Sequence, residues 1–363
     1  MKRHTTAIIL LLSAAIIGSG NAGTPLMWAS MFHLLFGNAL IGLVEGLLIA
    51  KVFNLHRGKS IGLLIVANYI SAWIGGLSLV YLSSKLSIDI YSGRWFIPLV
   101  AFLFLTVSIL LEWPVIAALF KGDAIKWRRG FKASTIAQCA SYLLIAGWYL
   151  LASGFDLYTK AEVTSSRSFI INSNAVVYFI GLDGHAYKQG LSDTKPTLFE
   201  RIYSTNANDR LALVPSSDQG AWDLVARLES GYRSAVTNIL LKSITTNASF
   251  SGGGWARPAD GRIEGNWFNF GGASDLRTPS EREWAVSTGF WAVEGINMKN
   301  TNTGEHIHLS VETPFLQWYA RNATVLPSDE VIFQLGRQIC LFNREKGMIV
   351  KLAAGQGPIV IIK

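Results

Sequence analysis

Five polar side chains interrupt four long apolar runs, and their types and positions could support chemistry inside a membrane. Two are carboxylic acids and three are amides: Asn38, Glu45, Asn68, Glu112 and Gln138. Asn38 and Glu45 are seven residues apart, which places them on one face of a helix. Counted from the ends of the apolar runs at about 1.5 Å per residue, all five fall in the same half of the membrane. We therefore expect them to meet inside a helical bundle.

The two carboxyl groups allow two interpretations of this polar cluster. An ionised glutamate that faces lipid costs several kcal/mol, so Glu45 and Glu112 should face the interior, be protonated or pair with the amides. Interhelical hydrogen bonding alone would make the cluster structural. A proton, ion or polar-solute site is the alternative, although two carboxyl groups are few for a coupled transporter and no interrupted helices indicate an inverted repeat. Pro114 should kink the third run or free a carbonyl near Glu112.

The elements that must position these residues are four apolar runs in a chain with 50% hydrophobic and 15% charged residues. Each run is long enough to cross a bilayer as a helix. They extend from Met27 to Ala50, Ile61 to Ser83, Phe96 to Phe120 and Ser134 to Gly154. The sequence predicts a four-helix transmembrane domain over residues 23–155.

The first 22 residues have the layout of a signal peptide. A cationic start precedes an apolar run from Ala7 to Ile17, and small residues follow up to Ala22. Such a layout predicts cleavage after Ala22, with residues 1–22 removed. An uncleaved membrane helix is the alternative, but the apolar run is short for a span.

The loops between the apolar runs orient the protein. The loop from Lys121 to Lys132 has five cations and one acid, and Lys51, Arg57 and Lys59 follow the first run. Two cations, Lys85 and Arg94, follow the second run. Because cytoplasmic loops retain lysine and arginine, the first and third loops are predicted to be cytoplasmic. The chain after Gly154 is then extracytoplasmic, and we expect an inner (plasma) membrane protein of a bacterium.

The net charge of +8 belongs entirely to the membrane half of the chain. Residues 1–155 carry twelve lysines and arginines against four acids, whereas residues 156–363 carry twenty of each. A nucleic-acid-binding domain needs its cations on one folded face, and here they flank membrane helices. We therefore predict the lipid bilayer as a partner and no nucleic-acid partner.

Residues 156–363 change to short apolar runs separated by turn-forming residues, which predicts an all-β domain. The clearest candidate strands include Ala175 to Gly181, Trp222 to Leu228, Val331 to Leu335, Gln338 to Phe342, Met348 to Leu352 and Pro358 to Ile362. The stretch Tyr232 to Ile244 fits either a short helix or a strand. A long surface loop is expected from Asn247 to Arg262.

The closing segment reads EVIFQL, QICLFN, MIVKLA and PIVII, with turns expected at Arg344 to Gly347 and at Ala354 to Gly357. This order of short strands and tight turns resembles a β-propeller blade, and Trp222-Asp223 lies at a strand position in a similar earlier piece. The resemblance implies four or five blades whose loops present a binding face. A β-sandwich is the alternative architecture.

Other chemistries have weaker support in the sequence. His33 is the one histidine inside an apolar run, so bis-histidine haem ligation lacks its second ligand and a packed, hydrogen-bonded role is favoured. His306 and His308 alternate on a strand, but a third metal ligand at fixed spacing is missing. No G-x-S-x-G, P-loop, H-E-x-x-H or C-x-x-C motif occurs. We predict no cofactor, metal or catalytic residue.

These observations favour a membrane-anchored binding or scaffolding protein whose exported β domain recognises a partner or ligand. The first alternative is a small transporter or proton-handling protein that uses Glu45 and Glu112. The second is an enzyme with an exported active site, which would need titratable groups brought together by the fold.

Overall fold

A computed structural model describes the membrane half and most of the β half of the chain. The described residues are 24–83, 88–171, 174–206, 209–229, 235–245, 249–251, 273–288 and 295–362. The predicted signal peptide and most of the predicted loop from Asn247 to Arg262 lie outside these ranges.

Four described helices are long and apolar enough to cross a membrane. The first span is Pro25–Phe53 with a π-helical turn at His33–Gly37, the second is Arg57–Ser83, the third is Ile90–Ala117 followed by a 3₁₀ turn at Ala118–Phe120, and the fourth is Lys126–Ala152. A short helix, Asp156–Lys160, follows. The prediction of four long apolar helices followed by a β-rich half is confirmed, and the protein is a multi-pass membrane protein.

The third span extends beyond its apolar run, and a polar residue caps its beginning. The third span begins at Ile90, six residues before the apolar run, where the Asp89 side chain accepts a hydrogen bond from the Tyr91 N–H. Such a cap satisfies a donor that the first helical turn leaves free. Pro98 and Pro114 both lie within the third helix. Since proline has no N–H, Pro114 leaves the Leu110 carbonyl without its helical partner.

The two cation-rich loops lie at the same end of the bundle. The guanidinium carbon of Arg129 is 5.8 Å from the centre of the Phe53 ring and 4.7 Å from that of Phe120. Thr24 and Gly154, at the other end, both contact the β domain. The β domain therefore lies at the end of the bundle opposite the excess cations.

The strands that follow the helices have these bounds. They are β1 Glu162–Val163, β2 Ala175–Gly181, β3 Ala186–Gly190, β4 Thr197–Glu200, β5 Arg210–Pro215, β6 Trp222–Glu229, β7 Ala235–Ile244, β8 Ser249–Ser251, β9 Ala273–Asp275, β10 Trp284–Thr288, β11 Ile296–Asn300, β12 His306–Leu309, β13 Ala320–Val325, β14 Val331–Leu335, β15 Gln338–Asn343 and β16 Met348–Ile362.

Ten of these strands form one curled sheet, in the order β4-β3-β2-β16-β15-β14-β13-β9-β8 with β1 paired to β16. Two three-stranded sheets, β5-β6-β7 and β10-β11-β12, accompany it. The closing strands β14, β15 and β16 are antiparallel neighbours, as the sequence predicts. They belong to the curled sheet, however, and the described residues do not show a closed propeller.

The turn predicted at Ala354 to Gly357 is wrong, because β16 runs through it as one strand of 15 residues. Its first half pairs with β15 and its second half with β2, with a register shift between Gln356 and Ile359. Gly357 has a φ of +59°, a conformation that glycine adopts without a steric cost. The glycines therefore bend the strand so that it joins two parts of the curled sheet.

Several strands were not predicted from the sequence because they are polar. β3 and β13, with the sequences AYKQG and ARNATV, are held by their neighbours in the sheet and lack an apolar run of their own. The segment Tyr232 to Ile244, for which the sequence allowed a helix or a strand, contains β7, Ala235–Ile244. This strand pairs with β6. Tertiary pairing thus decides elements that local pattern leaves open.

Candidate functional site

The intramembrane polar cluster is centred on the Glu45 carboxyl group. Its Oε2 accepts a hydrogen bond from Asn68 Nδ2 at 2.5 Å, and Gln138 Nε2 lies 3.5 Å from Oε1. The Ser141 hydroxyl, which donates to the Gln138 carbonyl at 3.2 Å, lies beside this carboxyl group. Glu45 is 1% exposed, and Asn68, Gln138 and Ser141 are buried as well. The cluster therefore joins the first, second and fourth spans.

The third span contributes Glu112, which is also 1% exposed. Its Oε1 accepts a hydrogen bond from the Ser71 hydroxyl at 2.6 Å. Its Oε2 is buried with no hydrogen-bond partner among the described residues. Gln138 lies beside both carboxyl groups, so Glu45 and Glu112 share one buried environment.

The structure brings together four of the five polar residues expected to meet: Glu45, Asn68, Glu112 and Gln138. Asn38 is buried, but its recorded hydrogen bond is a long one, 3.4 Å, to the Leu34 carbonyl of its own helix.

Ser71 and Ser141 belong to the cluster but were missed in the sequence. Each lies three residues after an amide of the cluster, Asn68 or Gln138. Residues three apart share a helix face, so this spacing could have identified them.

Close approach of the first two spans positions Glu45. A Cβ added to Gly42 would lie 2.5 Å from Ile65 Cα, and one added to Gly46 would lie 2.5 Å from Ile61 Cα. Small residues at such positions let helix backbones approach closely. Because Glu45 lies between these glycines, the short Asn68 side chain of the second span can reach its carboxyl group.

Pairs of side chains outside the cluster also link the spans. The His33 Nδ1 is 2.8 Å from the Tyr149 hydroxyl, so this histidine packs against a tyrosine of the fourth span. Ser108 and Tyr142 join the third and fourth spans through their hydroxyls at 3.0 Å. Both contacts tie the bundle together.

The β domain is bonded directly to the beginning of the third span. Gln338 of β15 accepts from the Ile90 N–H at 2.8 Å and donates to the Ile88 carbonyl at 3.1 Å. The Tyr158 hydroxyl donates to the Ile90 carbonyl at 2.8 Å, and burial raises the pKa of this hydroxyl, which keeps it a neutral donor. Lys351 of β16 forms an ion pair with Asp89.

Apolar packing makes the same junction continuous. Ile90 and Leu157 are fully buried in one core cluster with Trp318 and Phe333 of the β domain. Gly93 lies against this core, because an added Cβ would be 2.7 Å from Trp318 Cη2 and would also overlap the Tyr158 hydroxyl. The bundle and the β domain therefore share a hydrophobic core.

A second junction lies at the first and fourth spans. The Thr24 hydroxyl donates to Glu312 Oε1 at 2.5 Å, and Gly154 and Glu312 exchange two backbone hydrogen bonds of 2.8 and 2.9 Å. Phe315 extends from the following loop to Phe104 of the third span, with ring centres 5.5 Å apart. The β domain is thus held at separate points of the bundle.

The β domain contains a cavity of about 250 Å³ beside β9, β10 and β13. Arg277, whose side chain is 1% exposed, lines it and pairs with Asp275 at 2.9 Å and Asp329 at 2.5 Å. Arg282 also lines the cavity, where its Nε lies 3.4 Å from Asp275 Oδ2 and its Nη2 lies 3.4 Å from the Arg277 carbonyl oxygen. Both arginines are therefore paired, but 34% of the Arg282 side chain is exposed, against 1% for Arg277.

His308 of β12 lies beside a carboxylate of the short helix Asp156–Lys160. His308 Nδ1 lies 3.0 Å from Asp156 Oδ2, and the Ser310 hydroxyl lies 3.4 Å from the same oxygen. Both side chains thus lie within hydrogen-bonding distance of one carboxylate. Within the described ranges, no group of three histidine, cysteine, aspartate or glutamate side chains could hold a metal ion.

The two cysteines are free and lie in separate parts of the protein. Cys139 is exposed on the fourth span, while Cys340 is fully buried in β15. Burial raises the pKa of the Cys340 thiol well above its ordinary value. Its position makes it a reporter of β-domain packing and an inert thiol in the folded state.

Comparison with known proteins does not assign the chain to a family. No protein-family model matches it, and no curated protein matches it in sequence.

Proposed function

We propose that this chain is a membrane-anchored binding or scaffolding protein whose β domain recognises a partner or ligand outside the cytoplasm. The observation that carries the proposal is the shared core of Ile90 and Leu157 with the β domain. A domain joined in this way has a fixed orientation on the membrane. Such an orientation suits a surface that must meet a partner at a defined distance from the bilayer.

The points of attachment strengthen this proposal. Thr24, Ile90 and Gly154 come from three different membrane-proximal segments, and each bonds to the β domain. A single flexible linker would let the domain rotate, whereas attachment at several points holds it.

The cavity beside β10 is the proposed ligand-binding position. Arg282 contributes a partly exposed guanidinium and Trp284 an apolar wall at this cavity. A guanidinium binds carboxylate and phosphate oxygens through paired N–H groups. We expect an anionic group on the ligand or on the partner's surface to bind here.

The proposed orientation follows from the cation-rich loops at the end of the bundle opposite the β domain. A reporter active only outside the cytoplasm should be active when fused after Lys160 and inactive when fused at Gly122. The reverse result would place the β domain in the cytoplasm and contradict the proposal.

Binding is best tested with full-length variants. Truncation after Lys160 would expose Ile90 and Leu157, which are buried against the β domain, so loss of a partner could reflect misfolding. The better comparison is Arg282→Glu at the cavity with Arg337→Glu at an exposed position outside it.

Each protein would be purified by affinity from native membranes, and its co-purifying proteins and small molecules would be quantified by mass spectrometry. We expect a component that is retained by wild type and Arg337→Glu and reduced at least tenfold by Arg282→Glu. Identical sets from all three proteins would contradict ligand binding at the cavity.

A further inference from the structure

We propose that Glu45 and Glu112 form an intramembrane proton-binding site, in which Glu112 holds the proton and Glu45 carries the negative charge. This inference goes beyond recognition by the β domain and does not depend on it. It rests on the positions of the two carboxyl groups and on the hydrogen-bond donors around each of them.

The hydrogen bonds distinguish the two carboxyl groups. Glu45 accepts a hydrogen bond from the Asn68 amide at 2.5 Å, and the Gln138 amide lies 3.5 Å from its other oxygen; such donors favour the ionised form. Glu112 receives a hydrogen bond from Ser71 at Oε1, while its Oε2 is buried with no partner among the described residues. Burial of an ionised carboxylate oxygen without a hydrogen-bond partner is unfavourable in free energy. A proton on Oε2 removes the charge and with it this penalty.

The surrounding side chains cannot neutralise two charges. The second span contributes Asn68 and Ser71, and the fourth contributes Gln138 and Ser141, all uncharged. Among the described residues, Tyr142 is a further titratable group that interacts with the two carboxyls, and its hydroxyl is bonded to Ser108. No lysine or arginine of the described residues pairs with Glu45 or Glu112. Two carboxyl groups close together in a low-dielectric site share one proton rather than both ionise.

The ligand chemistry favours a proton over a metal cation. The groups aimed at Glu45 are the amide N–H donors of Asn68 and Gln138, whereas hard cations bind oxygen acceptors at several positions. A proton needs a single acceptor, and the unpartnered Oε2 of Glu112 is one. This atom is the second observation, besides the pair of acids, that identifies a ligand position.

The site is closer to the cation-rich loops than to the β domain. Glu112 lies eight residues before the end of the third span at Phe120, about 12 Å along the helix, but 22 residues after Ile90, about 33 Å. The proton should therefore exchange with the side of the membrane that carries the cationic loops.

Infrared spectroscopy of the full-length protein in lipid nanodiscs tests the assignment directly. A protonated carboxylic acid has a carbonyl stretching band that is separate from the amide and carboxylate bands and moves when deuterium replaces the proton. The proteins to compare are wild type, Glu112→Gln and Glu45→Gln, with Glu305→Gln in the β domain as an exposed control. Glutamine keeps the size and polarity of each side chain, and circular dichroism would show that each variant is folded.

We expect wild type, Glu45→Gln and Glu305→Gln to show the band at neutral pH and Glu112→Gln to lose it. The band should move in heavy water and decrease as the pH is raised. Absence of the band in wild type, or its loss in Glu45→Gln with retention in Glu112→Gln, would overturn the assignment. A band that neither moves in heavy water nor responds to pH would show a trapped proton and overturn the proposal of a binding site.

Discussion

Gln338 holds the backbone of Ile90 with its side chain, accepting the Ile90 N–H at 2.8 Å through Oε1. The other end of the same amide donates to the carbonyl of Ile88 at 3.1 Å. One side chain of the β domain thus satisfies two backbone groups where the third span begins. The first N–H groups of a helix have no partner within the helix, so this contact caps the span from outside.

Replacement of Gln338 by methionine should loosen the junction. It would leave the buried Ile90 N–H unpaired, which typically costs about 1 to 3 kcal/mol. In a Cys139→Ser background, the rate of Cys340 alkylation measures opening of the β domain, because Cys340 is then the one thiol and is buried. We expect faster alkylation in Gln338→Met than in Gln317→Met, a change at an exposed glutamine. Equal rates would show that the bond does not hold the domain.

Replacement of Gly93 by alanine should separate the two halves of the shared core. The new methyl group would lie 2.7 Å from Trp318 Cη2, and overpacking of a core costs about 1 to 3 kcal/mol. Gly76→Ala is the matched control, since no atom lies within 4 Å of its added Cβ. Limited proteolysis of reconstituted protein should release the β domain faster from Gly93→Ala than from wild type or Gly76→Ala. Similar cleavage in both variants would contradict tight packing at Gly93.

Replacement of Gly46 by alanine should push the first two spans apart. The added Cβ would lie 2.5 Å from the backbone of Ile61, so the helices must shift and the Glu45 to Asn68 bond must lengthen. We expect a loss of about 1 to 3 kcal/mol of stability in detergent, measured by circular dichroism during unfolding. Gly62→Ala, with no atom within 4 Å of its Cβ, should stay within about 0.5 kcal/mol of wild type.

The buried thiol of Cys340 should make the protein less stable at alkaline pH. Its folded-state pKa is raised by burial, whereas the unfolded thiol ionises near pH 8.5, so above about pH 8.5 the unfolded state binds fewer protons. The free energy of unfolding should then fall with rising pH, by at most about 1.4 kcal/mol per pH unit from this group. Cys340→Ala should reduce this slope and Cys139→Ala should not. An unchanged slope in Cys340→Ala would contradict the prediction.

Sequence analysis predicted the bundle well because membrane helices satisfy their own backbone hydrogen bonds. Each apolar run therefore determines a helix without reference to its neighbours. The β half was harder to predict, because β13 and β3 are polar and depend on adjacent strands. The continuous β16 shows the same limit, since the glycines at 355 and 357 are compatible with a turn and with a bent strand.

For the candidate site, the sequence predicted the residue types and one shared helix face. It did not predict which side chains of different spans form hydrogen bonds with each other. Glu45 with Asn68 and Glu112 with Ser71 come from different spans, and nothing in the spacing of one helix determines its rotation against another. Small residues decide that rotation by allowing close approach, as at Gly42 and Gly46. Ser71 and Ser141 lie on the same helix faces as Asn68 and Gln138, so they face the same cluster.

The sequence by itself determined four apolar spans, two cation-rich loops and a β-rich second half, because hydrophobicity and charge act locally along a chain. The tertiary structure alone decided that Ile90 and Leu157 enter the core of the β domain and that the two buried glutamates share one environment. Both relationships join residues far apart in the chain. They depend on shape complementarity between packed elements, which no local pattern encodes.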